Sequence, residues 1–352
     1  MSQVSASIAP EVCSQIVQWV DRRRDLLVLC VTCKAFQRAA ECKLYSMMYL
    51  IDVNRAQQAC RTLITTGRVS YVRTFVFHPD SRRGPIPPLK PVFWSLMQGA
   101  LNAMRNLESL TIVDPTFSNT WIFDPDQISF QLRESKLRFT WDNHIARFLE
   151  GQKKLRVLQF YERQPISATI DRPLPSLRML DSCLSIATQL ISSPISNMQV
   201  VMDVEDVQIA LTMLRKFANL HKTLRALNLL DIVDDNVSLK IFNSVSRSCP
   251  QLIHLGLLPL PVHHRHKFHH CLMDMHSLRS IELDIARWTP PPPTIAQRAL
   301  AAELKIYCPT ICTVTFWIGG TRCRWLHDGM VWISQSVDLN QYPNLNRNWH
   351  SV

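Results

Sequence analysis

The side chains best suited to chemistry crowd into one run, PVHHRHKFHHCLMDMH at 261–276, which carries His263, His264, His266, His269, His270 and His276. His266 and His270 stand four apart, so a helix presents both on one face, a spacing with which imidazoles can grip zinc. A zinc site needs three or four convergent ligands. Nothing nearby supplies a second pair, and no acid is placed as in HExxH, so the run reads as a solvated connection between elements. CVTC at 30–33 has the CxxC spacing of redox and zinc motifs, but it lies inside an apolar pattern where thiols pack as small hydrophobes. YCPTIC at 307–312 and Cys323 read the same way. There is no GxSxG, no GxxxxGK and no GxGxxG. Only 8 of 352 residues are glycine, leaving few for phosphate-cradling loops or strained catalytic turns. The expectation is a protein with no catalytic residue, no metal and no cofactor, hence not an enzyme.

The elements that must position these residues start with bulk properties. A hydrophobic content of 47% with 19% charged residues is that of a folded chain. Its length suits two domains, or a small module joined to an elongated one. No apolar run reaches the roughly 20 residues that span a bilayer, and MSQVSASIAPEV lacks the basic and apolar parts of a signal peptide. The 11 cysteines are odd in number and irregularly spaced, as for reduced thiols. A cytoplasmic or nuclear protein, free of membrane, is expected. The net charge of +11 is spread among mixed charges outside DRRR (21–24) and DSRRG (80–84), with no basic stripe alternating with aromatics. That argues for a solvated basic surface and against a nucleic-acid partner. RRGPIPPLKP (82–91) and TPPPPT (289–294) read as rigid connections, although Arg82 and Arg83 could meet an acidic or phosphorylated target.

The N-terminal forty residues hold three short helical patterns. Pro10 and Glu11 suit a first helical turn, and Val12, Ile16 and Trp19 or Val20 share one face beside Cys13 and Val17. Asp21 to Arg24 break the pattern, Asp25 is placed to cap Leu26, Leu27, Leu29, Cys30 and Val31, and Phe36, Ala40 and Leu44 follow at helical spacing. A piece this small has more apolar surface than it can bury alone.

These residues resemble the F-box, the short helical motif that docks on the Skp-type adaptor of cullin–RING ubiquitin ligases. Its opening is matched by Ile8, Pro10, Glu11, Val12 and Ile16, its middle by Asp25, Leu26 and Leu27, and its close by Cys33, Lys34 and Phe36. Ala9 departs from the motif's proline and Thr32 from its closing valine. The resemblance implies adaptor contacts through Ile8, Pro10, Glu11, Ile16, Leu26, Leu27, Cys33 and Phe36. The rival expectation is that the helices merely cap the domain behind them.

Beyond the module one phrase recurs: apolar, two residues, apolar, one residue, apolar. It appears as VRTFVF (72–77), LESLTI (107–112), LRVLQF (155–160), LRMLDS (177–182), LRALNL (224–229), LIHLGL (252–257), LRSIEL (278–283) and ICTVTF (311–316). KLRFTW (136–141) and MQVVMD (198–203) are candidate extra copies. Helical patterns intervene at 206–222, 234–249 and 294–308. A strand and a helix per unit of about 26 residues is the pattern of leucine-rich repeats. The expected fold is α/β: a helical F-box module at 1–50, an irregular leucine-rich-repeat solenoid at 51–335 with parallel strands on its concave face, and a tail at 336–352. TVTFWIGGTRCRWLHDGMVWISQ (313–335) adds an antiparallel hairpin or meander in which Trp317, Trp325 and Trp332 pack. Alternation along the strands points Thr111, Gln159, Asp181, Asn228, Gly256, Glu282 and Thr315 outward as a target-binding row. The expected partners are the Skp-type adaptor, through it a cullin–RING ligase, and a protein target that the sequence does not name.

Overall fold

A computed structural model describes residues 8–80, 86–161, 166–232, 234–319, 321–337 and 349. It is mixed α/β with mostly parallel strand pairing, and it divides into two compact units, residues 1–155 and 156–352. No helix among the described residues is long and apolar enough to cross a membrane.

The first unit opens with helices α1 (Pro10–Gln18), α2 (Arg23–Leu29) and α3 (Lys34–Ser46). Strand β1 (Met47–Leu50) follows α3 directly and pairs in parallel with β2 (Thr74–Phe77), across helix α4 (Val53–Thr66) and a 3-10 turn at Arg68–Tyr71. Helix α5 (Pro91–Ala103), strands β3 (Ser109–Val113) and β4 (Glu134–Arg138) and helix α6 (Asn143–Gly151) complete it, with β1 to β4 side by side in chain order. Local chemistry explains the boundaries. The Asp52 carboxylate caps α4 by accepting from the Arg55 amide at 2.8 Å, and Gly67 ends that helix with φ +68°, where a Cβ would be strained. Helix α2 starts two residues before the capping position expected at Asp25, which lies instead inside the first turn, where its charge complements the helix dipole. Behind β2 to β4 sits an aromatic core. Phe77 meets Phe93 at 5.2 Å and Trp94 at 6.2 Å, and Phe123 bridges Phe139 at 5.1 Å and Phe148 at 4.7 Å. Each such ring pair adds about 0.5–1.5 kcal/mol to its area burial.

The second unit comprises β5 (Val157–Phe160), β6 (Met179–Cys183), α7 (Leu184–Ala187), β7 (Asn197–Val201), α8 (Val207–Arg215), β8 (Ala226–Leu230), α9 (Asp235–Ser248), β9 (His254–Pro259), α10 (Arg265–Met273), β10 (Ser280–Asp284), α11 (Thr294–Tyr307), β11 (Thr313–Ile318), β12 (Thr321–His327) and β13 (Trp332–Val337). Strands β5 to β11 run parallel in chain order, and β11, β12 and β13 pair antiparallel. Trp325 and Trp332 are buried there, with Trp317 half-buried.

All eight recurring phrases become strands, each beginning at the phrase's third residue. The apolar positions stack into columns: Leu158, Leu180, Met198, Leu227, Leu255, Ile281 and Val314 are all fully buried. The two candidate extra copies are real strands, but in a different register. The second is ISNMQV (195–200), with Ile195, Met198 and Val200 buried. The first is LRESKL (132–137), where buried Ser135 takes a position that leucine fills elsewhere and so hides the phrase.

Candidate functional site

Two surfaces hold the residues that the sequence singles out. The first is the N-terminal module. Its helices close on Val17, Leu26 and Ala40, ringed by Val20, Leu29, Cys30, Phe36, Ala39 and Leu44. The Lys43 ammonium of α3 donates to the carbonyls of Val17, Gln18 and Val20 at 3.1, 2.7 and 2.8 Å, so a cation caps the dipole end of α1. Arg68 of the 3-10 turn pairs with Glu41 of α3 at 2.6 Å, joining the module to the strands that follow. That contact holds the Glu41 carboxyl below its ordinary range. Burial pushes the Cys13 thiol up and the neighbouring Cys33 adds to it.

The module's core uses one side of α1 and leaves the other bare. The face that carries the helical spacing in the sequence, Val12, Ile16 and Trp19, turns outward, with Ile16 42% and Trp19 87% exposed. Leu27 and Val28 of α2 and Val31 just beyond it are also more than half exposed. Of the expected adaptor contacts, Ile8, Pro10, Glu11, Ile16, Leu27 and Cys33 are exposed. Phe36 is half-buried against the core, and Leu26 lies inside it at 4% exposure. Val12, Trp19, Val28 and Val31 are exposed apolar side chains of the same two helical segments, which together with Ile16 and Leu27 we call the ridge, and they stand outside the expected contacts. Their 3- and 4-residue spacing is the signal that places them there.

The second surface is the face of the strands turned away from the helices. Gln159, Asp181, Asn228, Gly256, Glu282 and Thr315 do point to that face, but all six are buried, and Thr111 in the first unit is half-buried. They are not a solvent-exposed row: Asp181, Asn228 and Glu282 are each bonded to a neighbouring side chain on that face. The Asn228 amide donates to Gln199 at 3.3 Å. The His254 ring lies between Asn228 Oδ1 and Ser280 Oγ, each at 3.0 Å. Trp317 donates to Glu282 at 3.2 Å while the Arg322 guanidinium stacks 3.6 Å from the Trp317 ring. Gly256 is required by this packing. A Cβ there would lie 2.1 Å from Asn228 Oδ1 and 3.0 Å from His254 Nε2. Burial lowers the His254 pKa, outweighs the opposing pull of Glu282 and so favours the neutral ring. The indole of Trp349 is also buried, and the Asn197 amide donates to its carbonyl, so residue 349 sits on this face. Tyr161, which bonds Asp181 at 2.8 Å, continues the alternation of Val157 and Gln159 one step past the phrase and for that reason escaped it.

No protein-family model matches this chain, and no curated protein matches it. What the surfaces can do follows from their own side chains.

The histidine run supplies neither surface. His263, His264, His266, His270 and His276 are exposed at or near α10, whereas His269 is buried, contrary to a wholly solvated run. Among the described residues, no three His, Cys, Asp or Glu side chains converge as a metal site would need. TPPPPT joins β10 to α11, as a rigid connection should, while Arg82 and Arg83 lie outside the described residues.

Proposed function

We propose that the chain is an F-box substrate receptor of the cytoplasm or nucleus. Its N-terminal helices dock on the Skp-type adaptor of a cullin–RING ubiquitin ligase, and a leucine-rich-repeat solenoid behind them recruits a protein target. The chain itself performs no chemistry. It raises the effective concentration of target lysines near a charged conjugating enzyme. The observation that supports this reading is the bare apolar ridge of Val12, Ile16, Trp19, Leu27, Val28 and Val31 over a module core that is already closed. Fully burying such a side chain is worth up to about 1.5–3 kcal/mol, and a cluster of apolar residues left this exposed by its own fold calls for a partner. The motif residues Ile16 and Leu27 stand in that ridge.

The test is recovery of the adaptor by the full chain with Ile16→Asp and Leu27→Asp together. Both positions are exposed, so the fold is expected to persist by circular dichroism while adaptor recovery drops at least tenfold. Undiminished recovery by a folded variant would refute the reading. A second reading, a repeat scaffold whose helices only cap the strands, draws support from the Arg68–Glu41 pair and the direct run of α3 into β1. It predicts no adaptor binding by the parent chain.

A further inference from the structure

The histidine run, unused by the proposed function, borders a groove of about 720 Å³ on the helical side of the second unit. Helix α9 lines one wall with Asn236, Leu239, Lys240 and Asn243, a single stripe at 3- and 4-residue spacing. Helix α10 lines the other with His266, Lys267, His270 and Met273, and Tyr307 of α11 closes the end. His269 is the pillar beneath. Its ring stacks on Tyr307 with centroids 4.1 Å apart and planes 7° off parallel, and its Nε2 lies 3.3 Å from Glu303 Oε1. The other Glu303 oxygen takes Arg265 at 3.1 Å, so the nearby carboxylate is engaged at both oxygens.

What remains facing the groove is one-sided in charge. Lys240, Lys267, His266 and His270 stand on its walls, no acid lines it, and among the described residues neither lysine has an ion pair. The rest of the lining is apolar or neutral: Leu239, Met273 and Tyr307 offer about the area of a small hydrophobic body. The volume lies in the range of pockets that enclose small molecules, roughly 300–1,000 Å³. A groove of this size, lined by apolar and cationic side chains together, selects by charge complementarity. We propose that it binds a small amphipathic anion. The apolar body lies on Leu239, Met273 and Tyr307, and a carboxylate, sulfonate or phosphate group lies between Lys240 and Lys267, with His266 and His270 as further donors.

The probe is 8-anilinonaphthalene-1-sulfonate, titrated into the full chain by fluorescence. N-phenyl-1-naphthylamine, which has the same rings without the sulfonate, serves as the neutral comparison. Saturable binding is expected, at least tenfold tighter for the anion than for the neutral amine, and weakened at least tenfold by Lys240→Glu with Lys267→Glu. Both lysines are exposed, so the melting temperature should hold; Lys240→Gln with Lys267→Gln should shift affinity in the same direction. The Ile16→Asp, Leu27→Asp chain removes the other apolar surface and should keep this binding, which separates the groove from the ridge. Affinity unchanged within twofold in both lysine pairs, equal binding of the neutral amine, or loss of all binding in the ridge variant would each overturn the proposal.

Discussion

The N-terminal ridge and the inner face of the second unit invert each other. One leaves valine, isoleucine, leucine and tryptophan in water; the other hides asparagine, glutamate, histidine and arginine from it. Buried polar groups are tolerable chiefly when paired, and the centre of the inner face pairs its own: His254 is engaged at both ring nitrogens and Trp317 answers Glu282. Exposed apolar groups have no such internal remedy, and water penalises them until something else covers them. Polarity by residue type therefore misleads in both places. A surface that looks like a recognition row in the sequence is internal mortar, and the side of a helix that looks like core is the one left open.

The contrast can be broken most strongly within one turn of α2. Leu26→Asp places a carboxylate in the module core and should cost about 4 kcal/mol, read by urea denaturation. Leu27→Asp, one residue on and exposed, should change stability by less than about 0.5 kcal/mol. Equal effects would mean that the ridge is not a free surface. A smaller loss, about 2–4 kcal/mol, is expected for Gly256→Ala, because its methyl must displace Asn228 and leave the His254 ring and the amide unpaired. Denaturation indistinguishable from the parent would show that the inner network yields freely.

The smallest effect concerns pH. Burial depresses the folded-state pKa of His254, so the unfolded chain takes up a proton first as pH falls below about 6.5. Its contribution is thus intact at neutral pH and is lost on acidification, with a slope of at most about 1.4 kcal/mol per pH unit for this group. His254→Gln, which can still bond Asn228 and Ser280, should flatten the stability profile between pH 7 and pH 5. His269 is depressed by burial too, so His269→Gln should remove a separate part of the slope. A profile as steep in both variants as in the parent would place the titration elsewhere.

Much of the architecture was written in the spacing of apolar residues. The phrases at 155, 177, 224, 252, 278 and 311 fixed strands to within two residues, because three apolar columns per unit leave little freedom in where a strand begins. Where one column changes type, as at Ser135, the pattern fades although the strand persists. β1 escaped because Met47 to Leu50 reads as the tail of α3 and gains its strand form from pairing with β2. At the candidate sites the sequence showed which face each residue occupies but not whether that face is open. Leu26 and Leu27 are the same residue type side by side, and only packing against Val17 and Ala40 decides which one is hidden. The groove between α9 and α10 joins residues about thirty positions apart, and no local pattern connects Lys240 to Lys267.

The bridge from Asn228 through His254 to Ser280 crosses three consecutive strands. A ladder of near-identical leucines cannot tell its proper alignment from one slid along by two residues, since each column would meet another of its kind. Hydrogen-bonding partners can. Sliding β9 past β8 or β10 would strand a buried imidazole, an amide and a hydroxyl without mates. This small polar chain therefore acts as a key cut for one alignment, giving a monotonous repeat its single way to close.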